Sequence, residues 1–253
     1  MILVFGGTTE GKQAIEVLEA LQLPYIYSTK TKIKVELGNF GKYRFGAFSE
    51  ESLEQFISKE NISNIIHASH PFAEVLHQTI NVVAKKCEIP VYRLQREYPE
   101  RIQSSIIHYV NDYEEALTLL NENFQGKILL GLTGVQTIEK FEVFWKNNLS
   151  YFRILDRQSS IDIALKSDFP ENQLILGYPN TSVEAEVELF QQKNIEVVIT
   201  KESGNSGALS VKIDAVKQCN IPIIIIKKPK LPTSFKLVNS KIALSEILKT
   251  IVQ

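Results

Sequence analysis

Apolar residues fall along this chain in short blocks that alternate with longer stretches of helical spacing. Ile2–Phe5 is an unbroken apolar run that ends at Gly6-Gly-Thr-Thr9, and Glu10–Leu21 then sets Ala14, Ile15, Leu18 and Leu21 on one helical face. The same reading predicts strands at Tyr25–Ser28, Tyr43–Gly46, Ile65–Ala68 and Val91–Leu94, with helices at Ser49–Ser58 and Ala73–Cys87. Strands recur at Ile128–Leu132, Phe152–Leu155, Leu174–Gly177, Val197–Thr200 and Ile223–Ile226. Helices fall between them at Gln136–Lys146, Ile161–Lys166, Val183–Lys193 and Val211–Cys219. Alternating strands and helices imply parallel pairing, and parallel strands buried on both faces read as continuous apolar runs. The expectation is an α/β protein with parallel sheets.

A shift of 132 positions aligns two segments without a gap. Ile65-Ile-His-Ala-Ser-His-Pro-Phe72, running on to Cys87-Glu-Ile-Pro-Val91, meets Val197-Val-Ile-Thr-Lys-Glu-Ser-Gly204, running on to Cys219-Asn-Ile-Pro-Ile223. Each is strand, polar loop, helix, tight turn and strand, and Ile128-Leu-Leu-Gly-Leu-Thr-Gly134 weakly echoes the opening strand and turn. This predicts a pseudo-repeat of two Rossmann-like domains, 1–101 and 102–253, with strand-end loops meeting in a cleft between them. Ile106–Phe124 is the expected crossover. The tail 235–253, a short strand and a helix, can pack on either domain.

Composition narrows the function. Hydrophobic residues make up 44% and charged residues 23%, which suits a packed globular chain. With 28 basic and 29 acidic residues the net charge is −1, so nucleic acid is not the expected partner and any anion site must be local. The apolar start is too short for a signal peptide, and Ile221–Ile226 falls far below the roughly 20 residues that span a bilayer. Cys87 and Cys219 form no disulfide framework or metal-ligand spacing. The expectation is a cytoplasmic protein that avoids membranes, with a monomer as one option and the oligomeric state left open.

Four loops carry candidate chemistry. Gly6, Gly7, Thr8 and Thr9 lie between a strand and a helix, where glycines permit close approach and a helix N-terminus favours a phosphate; a plain βα turn is the alternative. The second strand ends in Ser28-Thr-Lys-Thr-Lys32, without the carboxylate usual for NAD, so Lys30 and Lys32 suit the 2′-phosphate of NADPH unless they are simply exposed loop lysines. Ser69-His-Pro-Phe72 follows another strand; Pro71 is expected to begin its helix, which leaves Ser69 or His70 at the strand end, with a solvated cap as the alternative. His67 and His77 lie nearby, but no Cys or Asp completes a metal set. In the second half, Lys201-Glu-Ser-Gly204 and Thr133-Gly134 offer polar, close-approach loops, with Lys212 beginning a helix beyond. Arg93 and Arg96 add guanidinium groups suited to carboxylates, so the basic residues together suggest an anionic ligand.

In this order, Ile2-Leu-Val-Phe-Gly-Gly-Thr-Thr-Glu10, Ser69-His-Pro-Phe-Ala73, Arg93-Leu-Gln-Arg96, Leu130-Gly-Leu-Thr-Gly134, Phe152-Arg-Ile-Leu155, Lys201-Glu-Ser-Gly204, Lys212 and Ile221-Pro-Ile223 resemble the precorrin-6A reductase family of corrin-ring biosynthesis, including its cobalt-precorrin-6A branch. The resemblance covers nearly the whole chain. It implies nicotinamide-dependent reduction of one macrocycle double bond, turning (cobalt-)precorrin-6A into (cobalt-)precorrin-6B, with NADPH favoured and NADH possible. It also implies a tetrapyrrole substrate held by Ser69, Phe72, Arg93, Arg96 and Lys212, whose acetate and propionate carboxylates give the basic residues among them a purpose. The cofactor would lie on Gly6, Gly7, Thr8, Thr9, Lys30, Thr133, Gly134, Ser203 and Gly204, and His70 and Lys201 are the candidates for proton donor or electrostatic partner of the developing negative charge, with water as the other proton source. The chain departs from the family pattern at His67, where an acid is common, at Ser69, where threonine is usual, at Gly177-Tyr-Pro-Asn180, and at Lys228-Pro229 in place of Arg-Pro. Two other readings fit the same fold: a nucleotide-sugar-binding transferase, and a non-catalytic nucleotide sensor.

Overall fold

The structure, a computed structural model, describes residues 1–252. It divides into two compact units, Met1–Glu97 with the chain from Pro229 onward, and Tyr98–Lys228. The first unit opens with β1 (Ile2–Phe5), α1 (Thr9–Ala20), β2 (Tyr25–Thr29), β3 (Gly41–Phe45), α2 (Glu50–Lys59), β4 (Asn64–His67), α3 (Glu74–Lys86) and β5 (Val91–Leu94). The second contains β6 (Ile107–Val110), α4 (Tyr113–Asn123), β7 (Leu129–Leu132), α5 (Glu142–Trp145), β8 (Ser150–Ile154) and α6 (Gln158–Lys166). It continues with β9 (Leu174–Leu176), α7 (Val183–Gln192), β10 (Val197–Lys201), α8 (Leu209–Cys219) and β11 (Ile223–Ile226). The chain then returns to the first unit through β12 (Lys236–Val238) and α9 (Lys241–Val252).

Each unit holds a six-stranded sheet. The first has the order β3-β2-β1-β4-β5-β12 and the second β9-β8-β7-β10-β11-β6, with every pair parallel. The first is the doubly wound 3-2-1-4-5-6 order, and the second matches its first five places, with β7, β10 and β11 standing where β1, β4 and β5 stand in the first unit. The aligned segments at the 132-residue offset therefore occupy equivalent places. The sixth strand comes from opposite ends: β12 closes the first sheet after the second unit is complete, whereas β6 enters the second sheet before its other strands. The tail that the sequence left open is thus part of the first unit, with Lys236, Leu237 and Val238 in register with Tyr92, Arg93 and Leu94. The expected crossover Ile106–Phe124 contains a sheet strand and a helix.

Successive strand residues point to opposite faces, so one sheet feeds two apolar layers. In the first unit Val4 and Ile66 pack with Leu18 of α1 and with Leu244 and Leu248 of α9, while Leu3 and Ile65 pack with Leu53 of α2 and Ile80 of α3. In the second, Leu130, Val198 and Ile223 pack with Phe190 of α7 and with Ile213 and Val216 of α8.

Two local expectations are corrected. The helix predicted over Gln136–Lys146 is two 3₁₀ turns, Val135–Thr137 and Glu139–Phe141, followed by the single turn α5. The Ile138 carbonyl accepts the indole N–H of Trp145 at 2.9 Å and the Phe141 N–H at 3.0 Å, a tighter winding that lets Ile138, Phe141 and Phe144 all be buried. Pro71 does not begin α3, which starts at Glu74 after a turn in which the Ala73 N–H donates to the His70 carbonyl. Among the described residues no helix is long and apolar enough to cross a membrane.

Candidate functional site

In a doubly wound sheet, ligands bind at the carboxyl ends of the strands where the winding reverses. In the first unit that point lies between β1 and β4. Gly7 adopts φ +92° and is exposed; Gly6 has no space for a side chain, since a Cβ there would fall inside the Tyr27 ring. The Tyr27 hydroxyl accepts the Gly7 N–H at 2.7 Å and fixes the turn from below. Thr8 caps α1 by accepting the Gly11 N–H at 3.1 Å, and it donates its own hydroxyl to the Ala68 carbonyl at 2.6 Å. That second bond joins the loop after β1 to the loop after β4, across the switch point. Thr9 is exposed on the first turn of α1.

Along the loop after β4, Ser69 is buried, His70 and Phe72 are half-buried, and His70 Nδ1 accepts the Phe72 N–H at 3.2 Å. A neutral His70 ring therefore carries its proton on Nε2. Past β2, Lys30 and Lys32 are exposed. The arginines expected on an open rim are not open. Arg93 is only 2% exposed and donates from Nη1 to the His67 carbonyl at 3.3 Å. Arg96 Nε lies 3.1 Å from the Glu10 carboxylate, with each side chain 7% exposed, so a buried ion pair ties the first turn of α1 to the segment after β5.

The second unit's switch point lies between β7 and β10. Gly134 turns the chain with φ +87°, and Lys201 Nζ lies 3.9 Å from where a Cβ on Gly134 would stand. Thr133 is buried, with its hydroxyl 2.7 Å from that of Thr137. Gly204 has φ +69°, and a Cβ on Gly207 would collide with the Ser203 side chain, so the loop Lys201–Gly207 is closely folded. Lys212 is buried and donates to the Gly207 carbonyl at 2.9 Å and to Thr200 Oγ1 at 3.3 Å. Burial pushes both Lys201 and Lys212 down to about 8; for Lys212 the nearby Arg153 adds to the effect and Glu186 opposes it. No α-helix follows Gly134 directly, and α8, beyond the Gly204 loop, has no side-chain N-cap, whereas the Gly6-Gly7 turn opens onto an α1 capped by Thr8.

Against known proteins, the family model described as "Precorrin-6x reductase CbiJ/CobK" matches residues 1–249. The chain belongs to this family. It is 27% identical to the cobalt-precorrin-6A reductase of Priestia megaterium and 28% identical to that of Methanocaldococcus jannaschii, covering 91% of both chains in each case. It is 25% identical to the precorrin-6A reductase of Rhodococcus erythropolis, over 94% of this chain and 93% of the relative. The solved structure of a CobK precorrin-6A reductase superposes with a TM-score of 0.80 at 19% identity, over 98% of this chain and 96% of the other, and so shares the fold. Membership of this reductase family sets aside the transferase and the non-catalytic sensor.

The structure adds pairings that the sequence reading missed. His67 Nε2 and His77 Nδ1 lie 2.7 Å apart, both rings buried. Arg153 and Glu186 form a buried two-bond pair, with Nη2–Oε1 at 2.5 Å and Nη1–Oε2 at 3.2 Å. Glu202 takes both Arg101 Nε and Nη2, at 2.8 and 2.9 Å, and also the Lys228 N–H at 2.9 Å. Arg44, opposite Ser28 in the register of β2 and β3, donates to the Ser28 hydroxyl at 2.7 Å and stacks 3.8 Å above the Phe48 ring. Partners so far apart in the chain leave no spacing signal. The exceptions are His67 and His77, ten residues apart across a strand-to-helix turn, and Arg44 and Phe48, four apart.

Proposed function

We propose that this protein is a cytoplasmic, monomeric enzyme that reduces one double bond of the precorrin-6A macrocycle, with or without cobalt, to the corresponding precorrin-6B in cobalamin biosynthesis, using NADPH. The observation that carries the reading is the Gly6-Gly7-Thr8 turn at the reversal point of a 3-2-1-4-5-6 sheet, joined to the His70 loop by the Thr8–Ala68 hydrogen bond. It is supported by membership of the precorrin-6x reductase family and by the names of the relatives.

The residues present fit a dinucleotide. Gly6 and Gly11 press against Tyr27, bringing α1 close under the turn, while Gly7 and Thr9 stay exposed above it. Gly6, Gly7, Thr8 and Thr9 are assigned to the diphosphate. Lys30 and Lys32 are assigned to the 2′-phosphate, which favours NADPH over NADH because residues 28–32 hold no carboxylate. When bound, the reduced nicotinamide supplies a hydride to one carbon of the conjugated ring and leaves oxidised, while the neighbouring carbon gains a proton.

The proton is assigned to His70 or Lys201. His70 Nε2 holds a proton when the ring is neutral. Lys201, lowered to about 8, is protonated at neutral pH yet gives up its proton more readily than an exposed lysine. Thr133, Gly134, Ser203 and Gly204 are assigned to the cofactor beside Lys201, and the buried Lys212 adds positive charge to the same loop. Ser69 and Phe72 are assigned to the macrocycle. Arg93 and Arg96 support the same loops from below, as their burial requires.

The test is anaerobic incubation of the protein with precorrin-6A or its cobalt form and with NADPH or NADH, following the ring chromophore. The expected result is loss of the conjugated absorbance with one substrate form, faster with NADPH. No spectral change in any of the four combinations rejects the reading.

A further inference from the structure

We propose that His67 and His77 are positioning residues for this reduction: joined ring to ring beneath the loop after β4, they anchor the Pro71 carbonyl and the Ser69 hydroxyl and so set the place of His70. The effect on turnover rests on the reductase reading. The anchor itself does not.

The chain of hydrogen bonds has one polarity. His77 Nε2 lies 2.8 Å from the Pro71 carbonyl, which can only accept, so that nitrogen carries a proton. Burial lowers the His77 pKa; the hydrogen bond to the Pro71 carbonyl opposes this and the Arg93 charge adds to it, with a net lowering that leaves the ring neutral at pH 7 and its Nδ1 an acceptor. His67 must then donate to it from Nε2 across 2.7 Å. Burial, with Arg93 next in effect, holds His67 well below its ordinary value, which leaves Nδ1 to accept from the Ser69 hydroxyl at 3.4 Å. Two rings of the same tautomer thus hold the loop at residue 69 and again at residue 71, on either side of His70.

The surroundings give the pair little else to do. Phe5 of β1 and Phe235 stand edge-on to the His67 ring at 6.2 and 5.5 Å, and the charge facing the pair is Arg93 of β5. Among the described residues no group of three or more His, Cys, Asp and Glu could hold a metal ion. Two imidazoles buried in an apolar wall are costly unless their hydrogen bonds are satisfied, and the bonds that satisfy them end on this loop.

The first test is long-range 1H–15N spectroscopy of the histidines in the whole protein. Two exchange-protected neutral rings bearing Nε2–H at pH 7 are expected; a cationic ring or an Nδ1–H tautomer at either position overturns the anchor. The second compares His77→Phe, which keeps a ring without hydrogen bonds, with His77→Gln, whose amide can reach the Pro71 carbonyl. His77→Phe should lower kcat about 10- to 100-fold while the KM for NADPH stays within about two-fold, and amides 69–73 should exchange faster. His77→Gln should recover most of the loss. Unchanged kcat in His77→Phe, or no recovery in His77→Gln, overturns the positioning role. If His77→Phe does not fold, the wild-type spectra and His77→Gln decide. If the wild-type protein turns over no substrate, the reductase reading fails and the role in reduction falls with it, while the spectra and loop exchange still decide the anchor.

Discussion

Gly6 and Tyr27 show how one residue position decides a binding loop. The sequence marks the glycine turn, because that residue type after an apolar strand has few other uses. It does not mark Tyr27, which reaches the turn only through the parallel register of β1 and β2. Adding a methyl group at Gly6 drives into the Tyr27 ring and dislodges the hydroxyl that holds Gly7. Gly6→Ala should therefore cost about 1–3 kcal/mol in urea unfolding and weaken NADPH binding in a direct titration. Full stability with unchanged affinity would show that the ring can move aside. Lys201 allows a prediction of pH dependence. Because its value is depressed to about 8, the ammonium is present below that pH and lost above it. Affinity for the anionic ligands should fall as pH rises from 7 to 9, and Lys201→Met should bind more weakly with this dependence flattened. An identical pH profile in the two proteins would remove Lys201 from the site. Arg93 and Arg96 mark the limit of such reading: their type announces charge, but Glu10 lies far from Arg96 in the chain, so the burial of that pair was not legible.

At the scale of elements, apolar periodicity located most strands and helices, and it failed where a side chain took over a backbone partner. Trp145 claims the Ile138 carbonyl and shortens a predicted helix into 3₁₀ turns; His77 claims the Pro71 carbonyl, and α3 begins beyond it. Both partners are set by tertiary packing, which a local pattern does not contain. The Arg153–Glu186 pair works across elements in the same way, linking β8 to α7 beneath α8. Glu186 is fully buried, and its charge also offsets Lys212. Glu186→Gln leaves Arg153 and Lys212 together without that carboxylate. The loss should be about 3–5 kcal/mol in denaturant unfolding, with a smaller deficit when Arg153→Met is added. A single variant as stable as the parent would mean that water or a shifted side chain replaces the carboxylate.

At the scale of the whole molecule, the duplication was legible because β4 and β10 begin, and β5 and β11 close, two segments that align at one offset and share a Cys-x-Ile-Pro turn before the closing strand. The sixth strands were harder to see. Strand β12 has three residues, two of them exposed, and β6 has a half-buried centre, so edge position weakens the signal in both. Yet these two strands decide how the chain divides. The second unit is continuous from Tyr98 to Lys228 and contains all six of its strands, whereas the first lacks β12 and α9 until the chain returns. A fragment of residues 98–228 should therefore unfold cooperatively on its own. Residues 1–97 alone should not, because the β5 edge loses its partner and the face of α1 against Leu244 and Leu248 is uncovered. Joining 229–253 to 1–97 through a flexible linker should restore a cooperative transition, measured by circular dichroism in urea. Equal stability of 1–97 with and without that segment would show that the returning strand and helix decorate a sheet already complete, and the assignment of the tail as the first unit's sixth strand would lose its energetic meaning.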